Sequence, residues 1–203
     1  MPAELLMVSR FPTKPGTAEA LASVLEGAVD GRVFVGLESD EVLAVEVVSS
    51  DLDLAGVRER FADVARDFAQ YLSGDIRREI LDFVEAPKSC AGPLPETPYL
   101  QLRHVEVKPE EYFAYRSWRD ETIFDVVRTA PEVEVFLAYH SLISTQPGVM
   151  FLSGFSVDPE TYGAVFASER YRDIVQQAGD QYITGGTAGL YTKVYANTAL
   201  RAA

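Results

Sequence analysis

The chain runs twice through one order of elements, and that order restricts its fold more than any single motif does. Residues 4–11 (ELLMVSRF) form a β-rich apolar run closed by Pro12, Pro15 and Gly16. Thr17 then stands at a helix N-cap, and Leu21, Val24, Leu25 and Ala28 recur at helical spacing until the Asp30-Gly31 turn. Residues 32–38 and 42–48 read as two strands of a hairpin across Ser39-Asp40-Glu41. A second helix is expected over 54–72, with Val57, Phe61, Val64, Ala65, Phe68 and Leu72 as its apolar stripe, and a strand over 79–84. After the proline-rich segment 87–98 the order returns. Strand 99–107, helix 110–129, the hairpin 133–143 with 149–157, helix 160–178 and strand 189–195 follow in turn.

A βαββαβ unit makes an antiparallel four-stranded sheet with both helices on one face. Its other face is left bare, and two such sheets can bury it by facing each other. The expected class is therefore α+β, with one unit over 1–86, a linker over 87–98 and a second unit over 99–203. Residues 7–15 (MVSRFPTKP) and 101–109 (QLRHVEVKP) both end in Lys-Pro, which aligns Arg10 with His104.

Charge and composition exclude several roles. The net charge of −13 repels phosphate backbones and anionic membranes, so nucleic acid and membrane partners are not expected. Cys90 is the only cysteine, so neither an internal disulfide nor a cysteine zinc site can form. The N-terminus lacks the basic start and long apolar stretch of a signal peptide, and no apolar run is long enough to span a bilayer. A cytoplasmic protein is the expectation. Gly185-Gly186 precedes a strand and reads as a turn, not as a phosphate loop.

The segments LLMVSRFPTKPG, FASERYRDIVQQAG and GLYTKVY resemble the antibiotic-biosynthesis monooxygenase group of the dimeric α+β barrel superfamily. The resemblance covers nearly the whole chain at the level of element order. It implies two ferredoxin-like units forming one barrel inside a single chain, with a small aromatic molecule or haem bound within. The group includes cofactor-free oxygenases and cyclases of aromatic polyketides, and related barrels carry haem. No catalytic residue carries over, because no motif here matches one branch.

Strand alternation then assigns faces, on the premise that the helix-covered face is the more uniformly apolar one. The pocket face would carry Phe136, Ala138 and His140; Met150, Leu152 and Gly154; Tyr191, Lys193 and Tyr195; and Leu102, His104 and Glu106. In the first half it would carry Arg10, Phe34, Gly36, Ala44 and Glu46. Both histidines of the chain fall on that face, on strands separated by one other, about 10 Å apart. That spacing suits flanking one substrate better than sharing one metal.

The expected function is a small-molecule enzyme, an oxygenase or cyclase acting on an aromatic, polyketide-like substrate without a cofactor. His140 and His104 are the candidate catalytic residues, since neutral imidazole moves protons near neutral pH. Phe136, Met150, Leu152, Tyr191, Trp118 and Glu106 are the candidate substrate-binding residues. The alternatives are a haem protein with one of the histidines as axial ligand, and a ligand-binding protein without catalysis. A homodimer is compatible with all three.

Overall fold

The computed structural model describes residues 1–200. The first half runs β1 (Leu5–Pro12), α1 (Ala18–Glu26), β2 (Gly31–Gly36), β3 (Glu41–Val47), α2 (Leu54–Phe68) and β4 (Arg77–Lys88). The second runs β5 (Tyr99–Val105), α3 (Tyr112–Glu121), α4 (Ile123–Thr129), β6 (Val135–Ile143), β7 (Val149–Phe155), α5 (Pro159–Val165), α6 (Glu169–Gln181) and β8 (Leu190–Asn197). The β-α-β-β-α-β order is therefore repeated as expected. Among the described residues no helix is long and apolar enough to cross a membrane.

Two of the expected helices are each broken in two, for local reasons. At Thr122 the backbone leaves helical geometry (φ −117°, ψ −79°), and the Thr122 hydroxyl donates back to the Trp118 carbonyl at 2.7 Å. Between α5 and α6 the chain restarts at Ser168, whose hydroxyl accepts from the Tyr171 N–H. Asp158 caps α5 in the same way, with Pro159 at its first position. β4 is longer than its apolar run implied. It extends into the proline-rich segment, and beyond it Leu94 and Thr97 are buried.

Each half places its strands in the same order, β4-β1-β3-β2 and β8-β5-β7-β6, and all pairs are antiparallel. The two sheets join edge to edge through β2–β8 and β4–β6, so among the described residues eight strands close into one barrel. A closed sheet has no exposed edge to template aggregation. The interior holds Leu6, Val8, Leu43, Leu81, Leu100, Leu102, Leu137, Met150 and Leu152, all fully or nearly fully buried. Helices cover the outside. In the second half they pack on Phe136, Ala138, Val149, Phe151 and Phe155; in the first half Leu21, Ala22 and Leu25 of α1 meet Val33, Val42 and Ala44. Val24, placed in the α1 stripe by spacing, is 44% exposed.

The face assignment holds for β1, β2, β5, β7 and β8 and is inverted for β6 and β3. Leu137 and Tyr139 pack inside with Leu102 and Met150, whereas Phe136 and Ala138 pack under the helices. His140 shares the outer face with them. In β3, Leu43 and Val45 point inward, Ala44 packs under α1, and Glu46 pairs with Arg60 of α2 at 2.8 Å. The reason is that both faces of this sheet are buried. Every residue of β7 and all but one of β3 are buried, so apolar content does not separate inside from outside.

One end of the interior is polar. Arg10 and Glu79 form an ion pair at 2.6 Å with both side chains over nine-tenths buried, and Ser144 donates to Glu79 at 3.1 Å. Nearby, Glu41 accepts from Tyr195 at 2.6 Å and from Lys193 at 2.9 and 3.0 Å. Burial and the neighbouring Glu41 hold the Tyr195 phenol far above its ordinary range, so it stays a donor. Removing one member of a buried pair strands the other charge, while replacing both with apolar groups does not. Glu79→Leu alone should therefore lower unfolding stability in urea by about 3–5 kcal/mol, and the double variant R10M/E79L should recover most of that loss. Equal losses in the single and double variants would contradict this account.

Candidate functional site

Apolar side chains pack the barrel interior, and a wide opening lies outside it, at the β4–β6 seam. There a cleft of about 700 Å³ is walled by Asp82 and Phe83 of β4, by Glu106 and Val107 after β5, by His140 of β6, and by Tyr112, Phe113 and Arg116 of α3. The seam sets its geometry. Asp82 and His140 are direct cross-strand partners, which sends both side chains to the same face. Register shifts between Phe83 and Glu85 then re-aim the end of β4. At the rim, Gly148 sits at φ +140°, and a Cβ there would lie 2.4 Å from the Val105 carbonyl oxygen, so the hairpin turn needs glycine.

His140 is half-buried and meets Tyr112 edge-on, with ring centroids 5.3 Å apart. Its Nδ1 lies 3.2 Å from the Ser141 carbonyl oxygen. A carbonyl can only accept, so Nδ1 carries the hydrogen and Nε2 keeps its lone pair. Among the described contacts Nε2 has no protein partner. Arg116 supplies a cation to the cleft and lies 3.8 Å from Glu85, which also binds Arg119.

His104 is in a different environment. It is 5% exposed inside the barrel and stacks on Tyr191 with centroids 5.1 Å apart. Its Nε2 lies 3.2 and 3.1 Å from the carbonyl oxygens of Gln146 and Pro147, so this nitrogen is the donor. Arg10 lies 5.7 Å above the Tyr191 ring. The two histidines thus occupy opposite faces of the sheet and cannot flank one substrate.

The predicted site residues divide into three groups. Met150, Leu152, Tyr191 and His104 are in the barrel interior, where Met150 and Leu152 are core with 1% and 0% exposure. His140 and Glu106 meet in the cleft. Phe136 and Trp118 belong to the layer between sheet and helices. Reading from sequence missed Asp82, Phe83, Arg116 and Tyr112. Tyr112 and Arg116 are one helical turn apart on α3, a spacing that was legible. Asp82 and Phe83 come from the other half of the chain, and no local pattern points to them.

No group of three or more His, Cys, Asp or Glu that could hold a metal ion occurs among the described residues. For haem, His104 is unsuited because its ring nitrogen is engaged by two carbonyls. His140 has a free nitrogen at an open cleft, though Asp82 and Glu106 beside it oppose an anionic cofactor.

No family model and no curated protein matches the sequence. Solved structures do share its fold. A candidate monooxygenase from Fusobacterium nucleatum superposes with a TM-score of 0.64 at 13% identity, covering 97% of this chain and 94% of that one. An anthrone oxidase-like protein gives 0.61 at 13%, covering 96% and 91%. The haem-degrading enzyme of Listeria monocytogenes gives 0.55 at 9%, covering 95% and 99%. The tandem α+β barrel is thus the architecture of monooxygenase-like proteins, at identities that speak for fold alone.

The contrast between the histidines is directly measurable. With diethyl pyrocarbonate, one histidine should react fast and the other only on unfolding, and His140→Ala should remove the fast phase. Two equally fast phases would show that His104 is not sealed in the barrel.

Proposed function

We propose that the cleft binds a phenolic, polycyclic aromatic molecule of polyketide type and that His140 removes a proton from it. The observation that carries this reading is the free Nε2 lone pair of His140 at an aromatic-walled cleft of about 700 Å³. Such a volume suits a small ligand, and Phe83, Phe113, Tyr112 and Val107 supply apolar surface for flat rings. The Ser141 carbonyl holds the imidazole in the tautomer a base requires, and it also stabilises the imidazolium formed when the proton arrives.

Proton removal leaves an anion spread over the aromatic system, and Arg116 stands where it can stabilise the oxygen that carries most of that charge. This anion has two productive fates. It can transfer electrons to dioxygen, or it can attack a carbonyl within the same molecule and close a ring. The first fate agrees with the names carried by the monooxygenase and anthrone oxidase-like neighbours.

Haem is the second reading, favoured by one observation: the same free Nε2 could ligate iron. His140 would then hold the haem iron, which would supply redox chemistry. The acidic residues at the cleft favour the base role.

Anthrone serves as the test substrate, followed by oxygen uptake and by absorbance. His140→Ala should lower kcat by about 10²–10⁴-fold, the range for loss of a general base, whereas His104→Ala should alter stability with little effect on kcat. Haemin titration should yield no Soret band that depends on His140. A band that vanishes in His140→Ala would replace the base reading with the haem reading. Equal activity in wild type and His140→Ala would remove the cleft as the reaction site.

A further inference from the structure

Between the second-half sheet and helices α3 and α6 lies a small chamber that the reading above does not use. Its volume of about 20 Å³ has room for one water-sized or diatomic molecule. Val105, Phe136, Phe151 and Ile183 give it apolar walls. Two of its polar residues are satisfied. Arg103 donates to Tyr171 at 2.6 Å and to Thr192 at 3.0 Å, and Gln101 accepts from Tyr162 at 3.2 Å.

Tyr115 is not fully satisfied. It is 0% exposed and lines the chamber; the Arg119 guanidinium lies against its hydroxyl oxygen, but among the described residues the hydroxyl hydrogen has no acceptor. Behind the wall made by Tyr115 and Phe151 lies Arg119, also 0% exposed, 5.5 and 5.6 Å from their ring centroids. Its Nη2 binds Glu85, while Nε and Nη1 make no hydrogen bond of good geometry among the described residues and the guanidinium leans on the Tyr115 hydroxyl. Buried donors without acceptors are costly and rare in native proteins, so they point to a ligand or a role. The walls repel an ion on entry, and the donors reward one once it is inside. A molecule that arrives neutral and becomes an anion in place meets both conditions.

We propose that this chamber binds dioxygen for the reaction at the cleft, and that Tyr115 donates a hydrogen bond to the oxygen as it is reduced. The inference rests on the proposed function and selects oxidation over cyclisation. Chamber and cleft are neighbours, since Val105 of one and Glu106 and Val107 of the other are consecutive, and Tyr115 and Tyr112 are one turn apart on α3.

The chemistry balances. His140 takes a proton from a ring methylene, and the carbanion passes one electron to dioxygen. The superoxide passes from the chamber to the cleft and joins the carbon radical in a C–O bond, and the peroxide takes the proton back. Removal of the second methylene proton breaks the O–O bond, forms the ketone and expels hydroxide, which that proton converts to water. The sum is R₂CH₂ + O₂ → R₂C=O + H₂O. Superoxide is the first oxygen anion on this path, and in a water-poor chamber the charges of Arg103 and Arg119 act on it strongly. Burial outweighs the opposing pull of Arg119 and holds the Tyr115 phenol far above the ordinary range, so its proton remains available for donation.

The test uses the full chain and two variants, Tyr115→Phe and Ala178→Leu, the latter placing bulk into the chamber from α6. Crystals pressurised with xenon should show a xenon peak in the chamber of wild type and Tyr115→Phe and none in Ala178→Leu. With anthrone, Ala178→Leu should raise KM for dioxygen several-fold and leave KM for anthrone unchanged. Tyr115→Phe should lower kcat by about 10²–10³-fold, the range for loss of a charge-stabilising donor. Val175→Leu is the milder filling variant should Ala178→Leu fail to fold. The proposal is overturned by an ordered water on Tyr115 with no xenon site, or by a filling variant with unchanged KM for dioxygen. Xenon in the chamber without any turnover of anthrone would instead overturn the proposed function and leave the gas-binding chamber standing.

Discussion

The pairing of β4 with β6 is the contact on which the rest of this molecule depends. Each half ends in two open sheet edges, and an open edge exposes unpaired backbone donors and acceptors. The two seams, β4–β6 and β2–β8, satisfy them together and close the barrel. The β4–β6 seam also builds the cleft. It sets Asp82 of the first half across from His140 of the second, and its register shifts aim Glu85 at Arg116 and Arg119. The candidate site is therefore a joint product of both halves, although most of its residues lie in the second.

Closing the sheet left the open volume outside the barrel. An eight-stranded barrel is just wide enough for its own side chains to fill it, and here leucines, valines and Met150 do so. The charged end, with Arg10, Glu79, Glu41 and Lys193, is packed and paired. Open volume remains in the layer between sheet and helices, where the helix break at Thr122 separates α3 from α4 and lets Tyr112, Phe113 and Arg116 form the cleft's outer wall.

The two histidines show how little residue type says about role. Both rings donate one N–H to backbone carbonyls, and both lie against a tyrosine. His104 donates through Nε2 and is sealed by the barrel. His140 donates through Nδ1, and its outer nitrogen is left at an open cleft. The difference comes from which face of the sheet each strand position takes.

The sequence by itself determined the α+β class, the doubled element order, the hairpins and the approximate position of every strand. These follow from local periodicity and turn chemistry, which short-range sterics enforce. It also carried the correct faces for β5 and β8, because His104 and Lys193 alternate with apolar residues there. The faces of β3 and β6 were decided only by the tertiary structure. Both sides of β3 and of the first five residues of β6 are buried, so alternation lost its polar half and a one-residue shift in reading had no visible penalty. Asp82 and Phe83 were likewise beyond reach from sequence. Their place beside His140 depends on how two sheet edges meet, and that is set by closure of the whole barrel, not by any stretch of chain.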